Sequence, residues 1–192
     1  MKILALAFGC ATLLIAAPAF SETAAAAHPI VVLKTTLGDI KLELDPQAAP
    51  KTVANFLQYV SSRQYDGTVF HRVIAGFMIQ GGGFDAKLNE RPTRAPIPLE
   101  SKNGLKNTTG TIAMARTSDP DSATAQFFIN TADNPRLDYP GSDGYGYAVF
   151  GHVTEGLDVV AKISQVPTTS RAEMENVPST PIVIESAMIV PK

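Results

Sequence analysis

From His28 to Asp45, apolar and polar residues alternate along the chain, with one interruption. Val31 and Leu33 alternate with Val32 and Lys34, "TTLGD" reverses direction, and Ile40, Leu42 and Leu44 then alternate with Lys41 and Glu43. A period of two predicts a half-buried antiparallel hairpin. The period then changes. In "DPQAAPKTVANFLQYVSSRQYDG", Val53, Phe56, Leu57 and Val60 recur at helical spacing. Pro50 suits the first helical turn, where a missing N–H costs nothing, and Asp66-Gly67 ends the segment. A second helix is predicted in "TEGLDVVAKISQ", with Leu157, Val160, Ala161 and Ile163 on one face and Thr154 as its cap.

Elsewhere the apolar runs are short. "TVFHRVI", "FMIQGG", "GTIAMAR", "QFFINT", "YAVFGHV" and "TPIVIESAMIV" predict strands. Three long polar stretches predict loops: "FDAKLNERPTRAPIPLESKNGLKNTTG", "ADNPRLDYPGSDGYG" and "VPTTSRAEMENVPST". Loops of such length in a compact domain are often functional. Many short strands, few helices and no repeat or linker make the chain mainly β, a barrel or a sandwich.

A length of 192 residues suits one domain with a core of its own. The first segment stands apart. Lys2, the apolar run "ILALAFGCATLLIAA" and small residues at Ala17–Ala19 read as a cleavable export signal. The run is short for a membrane span, which needs about 20 apolar residues. Residues 1–19 are therefore expected to be removed, 20–28 to form a flexible leader, and 29–192 to fold. This predicts export from the cytoplasm. The only cysteine, Cys10, lies in the signal, so the mature chain offers no disulfide, thiol nucleophile or thiolate metal site. A formal net charge of -2 gives no basic footprint for nucleic acid.

One stretch poses a chemical problem. "FHRVIAGFMIQGGGF" sets Arg72 among Phe70, Val73, Ile74, Phe77, Met78 and Ile79. A guanidinium cannot shed its charge, so it must be paired, exposed or used. Gln80, eight residues on, could hold it across adjacent strands. Further along, "TIAMARTSDPDSATAQFFIN" brings Met114, Gln126, Phe127 and Phe128, which could share one shallow pocket with Arg72; Met114 and Phe127 fit core packing better. Gly81, Gly82 and Gly83 are not followed by a Lys-Ser/Thr pair, so they read as a close backbone turn rather than a phosphate loop. His28, His71 and His152 are far apart, and neither "HExxH" nor "GxSxG" occurs, which argues against a hydrolase. His71 reads as a hydrogen-bonded strand residue rather than a base.

"FHRVIAGFMIQGGGF", "GTIAMAR", "QFFIN" and "YAVFG", in this order and spacing, resemble the cyclophilins, peptidyl-prolyl cis/trans isomerases, over about residues 29 to 190. With its signal segment the chain is most similar to bacterial periplasmic members. The resemblance implies a closed eight-stranded antiparallel barrel capped by two α-helices, with the active site on its outer face. It implies that Arg72 is catalytic and that Gln80 positions it. Phe77, Met78, Phe128 and Leu137 would line the proline pocket; Gln126 and the backbone at Ala115 and Arg116 would hold the peptide. No cofactor or metal is implied. The partners would be proline-containing unfolded or partly folded polypeptides, met by a monomer. Three positions depart from familiar members: Arg136 stands where many have Trp, Tyr147 where many have His, and Arg116 where familiar members have Asn. The family's ligand preferences therefore need not carry over.

Overall fold

A computed structural model describes residues 28–190. The expected signal and all but the last residue of the expected leader lie outside these. His28 itself is anchored: its Nδ1–H donates to the Leu44 carbonyl at 3.1 Å.

The hairpin forms as the alternation predicts. Strand β1 (Ile30–Thr35) pairs antiparallel with β2 (Gly38–Leu44), and Val31, Leu33, Ile40, Leu42 and Leu44 all face inward. Helix α1 (Pro50–Ser61) follows, burying Val53, Phe56 and Val60, with Leu57 at the margin. Ala49 offers no side-chain cap. The Glu100 carboxylate, from far along the chain, accepts instead from the N–H groups of Lys51 and Thr52 at 3.1 and 2.8 Å. A carboxylate at a helix N-terminus satisfies orphan donors and opposes the helix dipole.

The remaining strands are β3 (Thr68–Ile74), β4 (Met78–Asp85), β5 (Thr111–Met114), β6 (Phe127–Asn130), β7 (Val149–Glu155), β8 (Thr168–Arg171), β9 (Met174–Pro178) and β10 (Val183–Val190), with α2 (Leu157–Ser164) after β7. Eight of them close a barrel in the order β1-β10-β3-β4-β6-β5-β7-β2. All described pairings in it are antiparallel, so the mainly-β barrel with two helices is as expected. Its interior is one continuous apolar cluster. Phe56 from α1 meets Tyr65, Phe127 and Phe150 there, with ring centroids 5.1, 5.5 and 5.2 Å away.

Two sequence expectations need correction. Helix α2 buries Val159, Val160, Ile163 and Ser164, whereas Leu157 and Ala161 are exposed. Val160 and Ile163 belong to both stripes, so spacing alone could not choose between them. The cap is Gly156, at φ 89°, and not Thr154, whose hydroxyl donates to the Lys41 carbonyl. Gly156 rests on the backbone of Asp39 and Ile40, where a Cβ has no room. Second, "VPTTSRAEMENVPST" contains the two-stranded ribbon β8–β9 rather than only loop. Ala172 and Glu173, at φ 50° and 64°, make its tight turn. Every residue of β8 is exposed, so no apolar pattern could reveal it.

Candidate active site

Period-two alternation gives the barrel wall two apolar faces. Along β6, Phe127 and Ile129 enter the interior while Phe128 points outward. In the same way Ile112 and Met114 face in and Ala113 faces out; Ile79 faces in and Met78 out; Phe150 faces in and Val149 out. The interior positions of Met114 and Phe127 are the core packing expected for them. Met78, Ala113, Phe128 and Val149 form a second cluster on the outer face, against which Phe77, Leu137 and Tyr147 pack.

A pocket of about 130 Å³ opens on this cluster. Phe77, Met78, Phe128, Leu137 and Tyr147 line it, with Arg72, Gln80, Ala115 and Arg116. Gln126 lies in an adjoining depression that shares Gln80, Ala115 and Arg116 with the first. The structure thus brings together every site residue singled out in the sequence. A larger cleft of about 510 Å³, around Ser101, Lys102, Tyr139 and Tyr145, contains neither Arg72 nor any residue of the outer cluster, so size does not mark the site.

Arg72 and Gln80 are paired residues of β3 and β4. The Arg72 Nη1–H donates to Gln80 Oε1 at 3.4 Å, a long bond, and Gln80 Nε2 donates to Gln126 Oε1 at 2.9 Å. A guanidinium only donates, which fixes the Gln80 carbonyl towards it and the amide nitrogen towards Gln126. Arg72 is half-buried, and among the described residues no carboxylate forms an ion pair with it. It lines the pocket, and its bond to Gln80 is the one hydrogen bond its guanidinium makes among the described residues.

The three glycines lie inside β4 and not in a turn. Their reason is room and one unusual dihedral. Gly82 has φ 88° and packs against the rings of Tyr65 and Phe127; at Gly83 a Cβ would sit 2.6–2.7 Å from the Gln126 side chain. The bulged β3/β4 pairing beside them realigns Arg72 opposite Gln80. At Ala115 the N–H is already engaged, donating to the Gln126 carbonyl at 3.0 Å, so this backbone can offer a peptide only its carbonyl oxygen. Arg136 is exposed on a 3-10 helix (Pro135–Leu137) that carries Leu137 into the pocket wall.

His71 is buried in β3, its ring 4.7 Å from that of Phe84, and its Nδ1 has no hydrogen-bond partner. The expected hydrogen-bonded strand residue is therefore only half right. Burial lowers its pKa to about 4; the Val69 backbone and Gln126 amide oppose this, and the neighbouring Arg72 charge adds to it. The folded state thus binds the proton less well than the unfolded chain, with a usual value near ~6.5. Stability from this group is complete above about pH 6.5 and is lost as pH falls towards 4. His71→Leu should remove that slope. Urea midpoints between pH 4 and 7 should show wild type losing about 3 kcal/mol relative to the variant. Parallel curves would contradict this.

The sequence did not reveal what braces the segment that carries Leu137. Asn134 Nδ2 donates to the Phe77 carbonyl and to Asn130 Oδ1, at 2.9 and 2.7 Å, and the buried Asn130 bonds Thr111 and Asn107. Asp138 accepts from the Asn107 N–H at 2.7 Å. These residues gave only a turn-rich composition as a signal. Among the described residues no cluster of His, Cys, Asp or Glu is arranged to hold a metal ion.

Comparison with known proteins gives the same picture as the geometry. The family described as "Cyclophilin type peptidyl-prolyl cis-trans isomerase/CLD" matches residues 30–189. "Peptidyl-prolyl cis-trans isomerase A" of Dickeya dadantii (strain 3937) is 54% identical over 175 residues, covering 91% of this chain and 90% of that protein. "Peptidyl-prolyl cis-trans isomerase B" of Escherichia coli (strain K12) is 49% identical over 162 residues, covering 83% and 99%. A crystal structure of a Cryptosporidium parvum cyclophilin type peptidyl-prolyl cis-trans isomerase superposes with a TM-score of 0.72 at 28% identity, covering 86% of this chain and 99% of that one. The chain belongs to the cyclophilin-type peptidyl-prolyl cis-trans isomerases, enzymes that accelerate rotation about the bond preceding proline.

Proposed function

We propose that this isomerase acts on exported polypeptides outside the cytoplasm and assists their folding, with Arg72 hydrogen bonding to the prolyl nitrogen as the bond twists. The observation that carries the mechanism is a guanidinium that has no carboxylate partner among the described residues, lines the same pocket as Phe77, Met78, Phe128 and Leu137, and is tethered by Gln80. A peptide bond resists rotation with a barrier of roughly 18–20 kcal/mol, because resonance gives it double-bond character. Uncatalysed X–Pro exchange takes tens to hundreds of seconds. An acceleration of about five powers of ten requires about 7 kcal/mol. No bond breaks, so no nucleophile is needed.

Two effects favour the twisted state. The planar amide is the more dipolar form and is favoured by water; a pocket lined by Phe77, Met78, Phe128 and Leu137 withdraws that advantage. The prolyl nitrogen regains a lone pair only on twisting, so a bond from Arg72 forms in the transition state and hardly in the ground state. Such a charge-assisted bond contributes roughly 1.5–3 kcal/mol, and holding the flanking peptide must supply more. Gln126, the Ala115 carbonyl and the Arg116 backbone stand where a peptide leaving the pocket would pass. One chain provides all of these groups, so a monomer suffices. An exchange assay on X–Pro peptides, comparing wild type with Arg72 variants, tests the mechanism.

The site of action is supported by Lys2, the apolar run after it and Ala17–Ala19. Protein recovered from its producing cell should begin near Phe20 or within the Ala-rich residues that follow. N-terminal sequencing checks this, and an intact Met1 on the soluble protein would refute it.

A further inference from the structure

Arg116 stands two residues after the end of β5 and borders the pocket, with its side chain only 1% exposed. The guanidinium carbon lies 4.4 Å from the centroid of the Tyr147 ring. Nε and Nη2 both donate to the Gly146 carbonyl, at 3.2 and 2.8 Å, and Nη1 donates to the Thr117 carbonyl at 2.9 Å. Nη2 also pairs with the Asp143 carboxylate. Asp143 in turn accepts from the N–H groups of Tyr145 and Gly146, both at 2.9 Å. One planar cation thus ties the end of β5 to the loop that delivers Tyr147. The loop needs such a tie: Gly141, Gly144 and Gly146 all have positive φ, and glycine carries the largest backbone entropy to lose.

Tyr147 has pocket contacts on its other sides. Its ring meets Phe128 edge-on, with centroids 5.6 Å apart, and its N–H donates to the Leu137 carbonyl at 2.8 Å. Fixing Tyr147 therefore also bears on Leu137, whose segment the Asn134 and Asp138 bonds brace from the other side. We propose that Arg116 and Asp143 form a positioning pair that holds Tyr147 and Leu137 as one wall of the pocket, and so sets how tightly the enzyme holds the proline ring rather than how fast the bond turns. This rests on the reading that the pocket takes proline. The hydrogen bond from Arg116 also holds the Asp143 carboxyl well below the usual carboxylate range. The guanidinium stacks on a ring and makes four bonds in fixed directions, which lysine cannot reproduce.

Steady-state isomerase kinetics on an Ala-Pro peptide, at a temperature well below melting, test the proposal. Arg116→Ala should raise KM about fivefold or more and leave kcat within about twofold. Arg116→Lys should not restore KM. Asp143→Ala should move KM in the same direction by less, and the double variant should be no worse than Arg116→Ala, because the two residues act as one unit. Val160→Ala, in the core under α2, serves as a control for lost stability and should leave KM unchanged. Carbon-13 labelling of tyrosine rings gives an independent readout: the peptide should shift the Tyr147 signals in wild type and shift them less in Arg116→Ala. A wild-type KM in Arg116→Ala, or a fall in kcat with KM unchanged, would overturn the positioning role. If the peptide leaves Tyr147 unmoved in the wild type, the pocket reading itself falls, and this inference with it.

Discussion

Arg72→Ala is expected to lower kcat/KM by at least tenfold, and by about a hundredfold if the transition-state bond lies at the strong end of the charged range. The fold should survive, because the side chain is half-buried, makes one long hydrogen bond and forms no ion pair among the described residues. Arg72→Lys should be nearly as impaired. An ammonium keeps the charge, but it lacks the planar fork by which, in the proposed mechanism, one nitrogen rests on Gln80 while another reaches the prolyl nitrogen. Proline exchange in an X–Pro peptide, with circular dichroism as the check on folding, measures both. Turnover within threefold of wild type in Arg72→Ala would remove this residue from the mechanism.

The largest stability effect should come from the neighbour of a pocket residue. Phe127 is fully buried, with Tyr65, Phe56 and Phe70 at centroid distances of 5.4, 5.5 and 6.2 Å, all three near edge-on. Phe127→Ala opens a cavity at the centre of the barrel and should cost about 3–5 kcal/mol. For a domain of this size that lowers Tm by roughly 6–20 °C. Phe128→Ala removes the same atoms from the outer face, beside an open pocket. It should cost less stability and act instead on KM. Thermal melts and kinetics on both proteins check the pair; equal Tm losses would show that the two faces are not energetically distinct.

Those two phenylalanines also show what the sequence could convey. Phe127 already fitted core packing in the sequence, and the hairpin of β1 and β2 and the stripe of α1 were legible because burial of one face leaves a period. Arg72 was legible because a charge among apolar residues demands an explanation. Closure of the barrel and the grouping of the pocket residues came from resemblance to a family, since pairing of distant strands leaves no local signal. What stayed hidden lacks a period as well. The β8–β9 ribbon is polar and exposed, the cap of α1 comes from Glu100 across the chain, and Arg116 meets Tyr147 only because the intervening loop folds back. Gly156 and Gly82 were visible as glycines, but their purpose depends on what packs against them.

The closed ring of strands has a consequence for an enzyme whose substrates are proline-containing polypeptides. An extended polypeptide exposes backbone N–H and C=O groups and readily adds to an unpaired strand edge, which is how sheets seed aggregation. In the barrel each strand has a partner on both sides, so a client segment finds no edge to extend. The β8–β9 ribbon keeps free edges, but Thr168–Arg171 is short, fully exposed and without an apolar side chain. A bound peptide can therefore grip the outer face only through side-chain pockets and a few hydrogen bonds, which favours its release once the proline has turned.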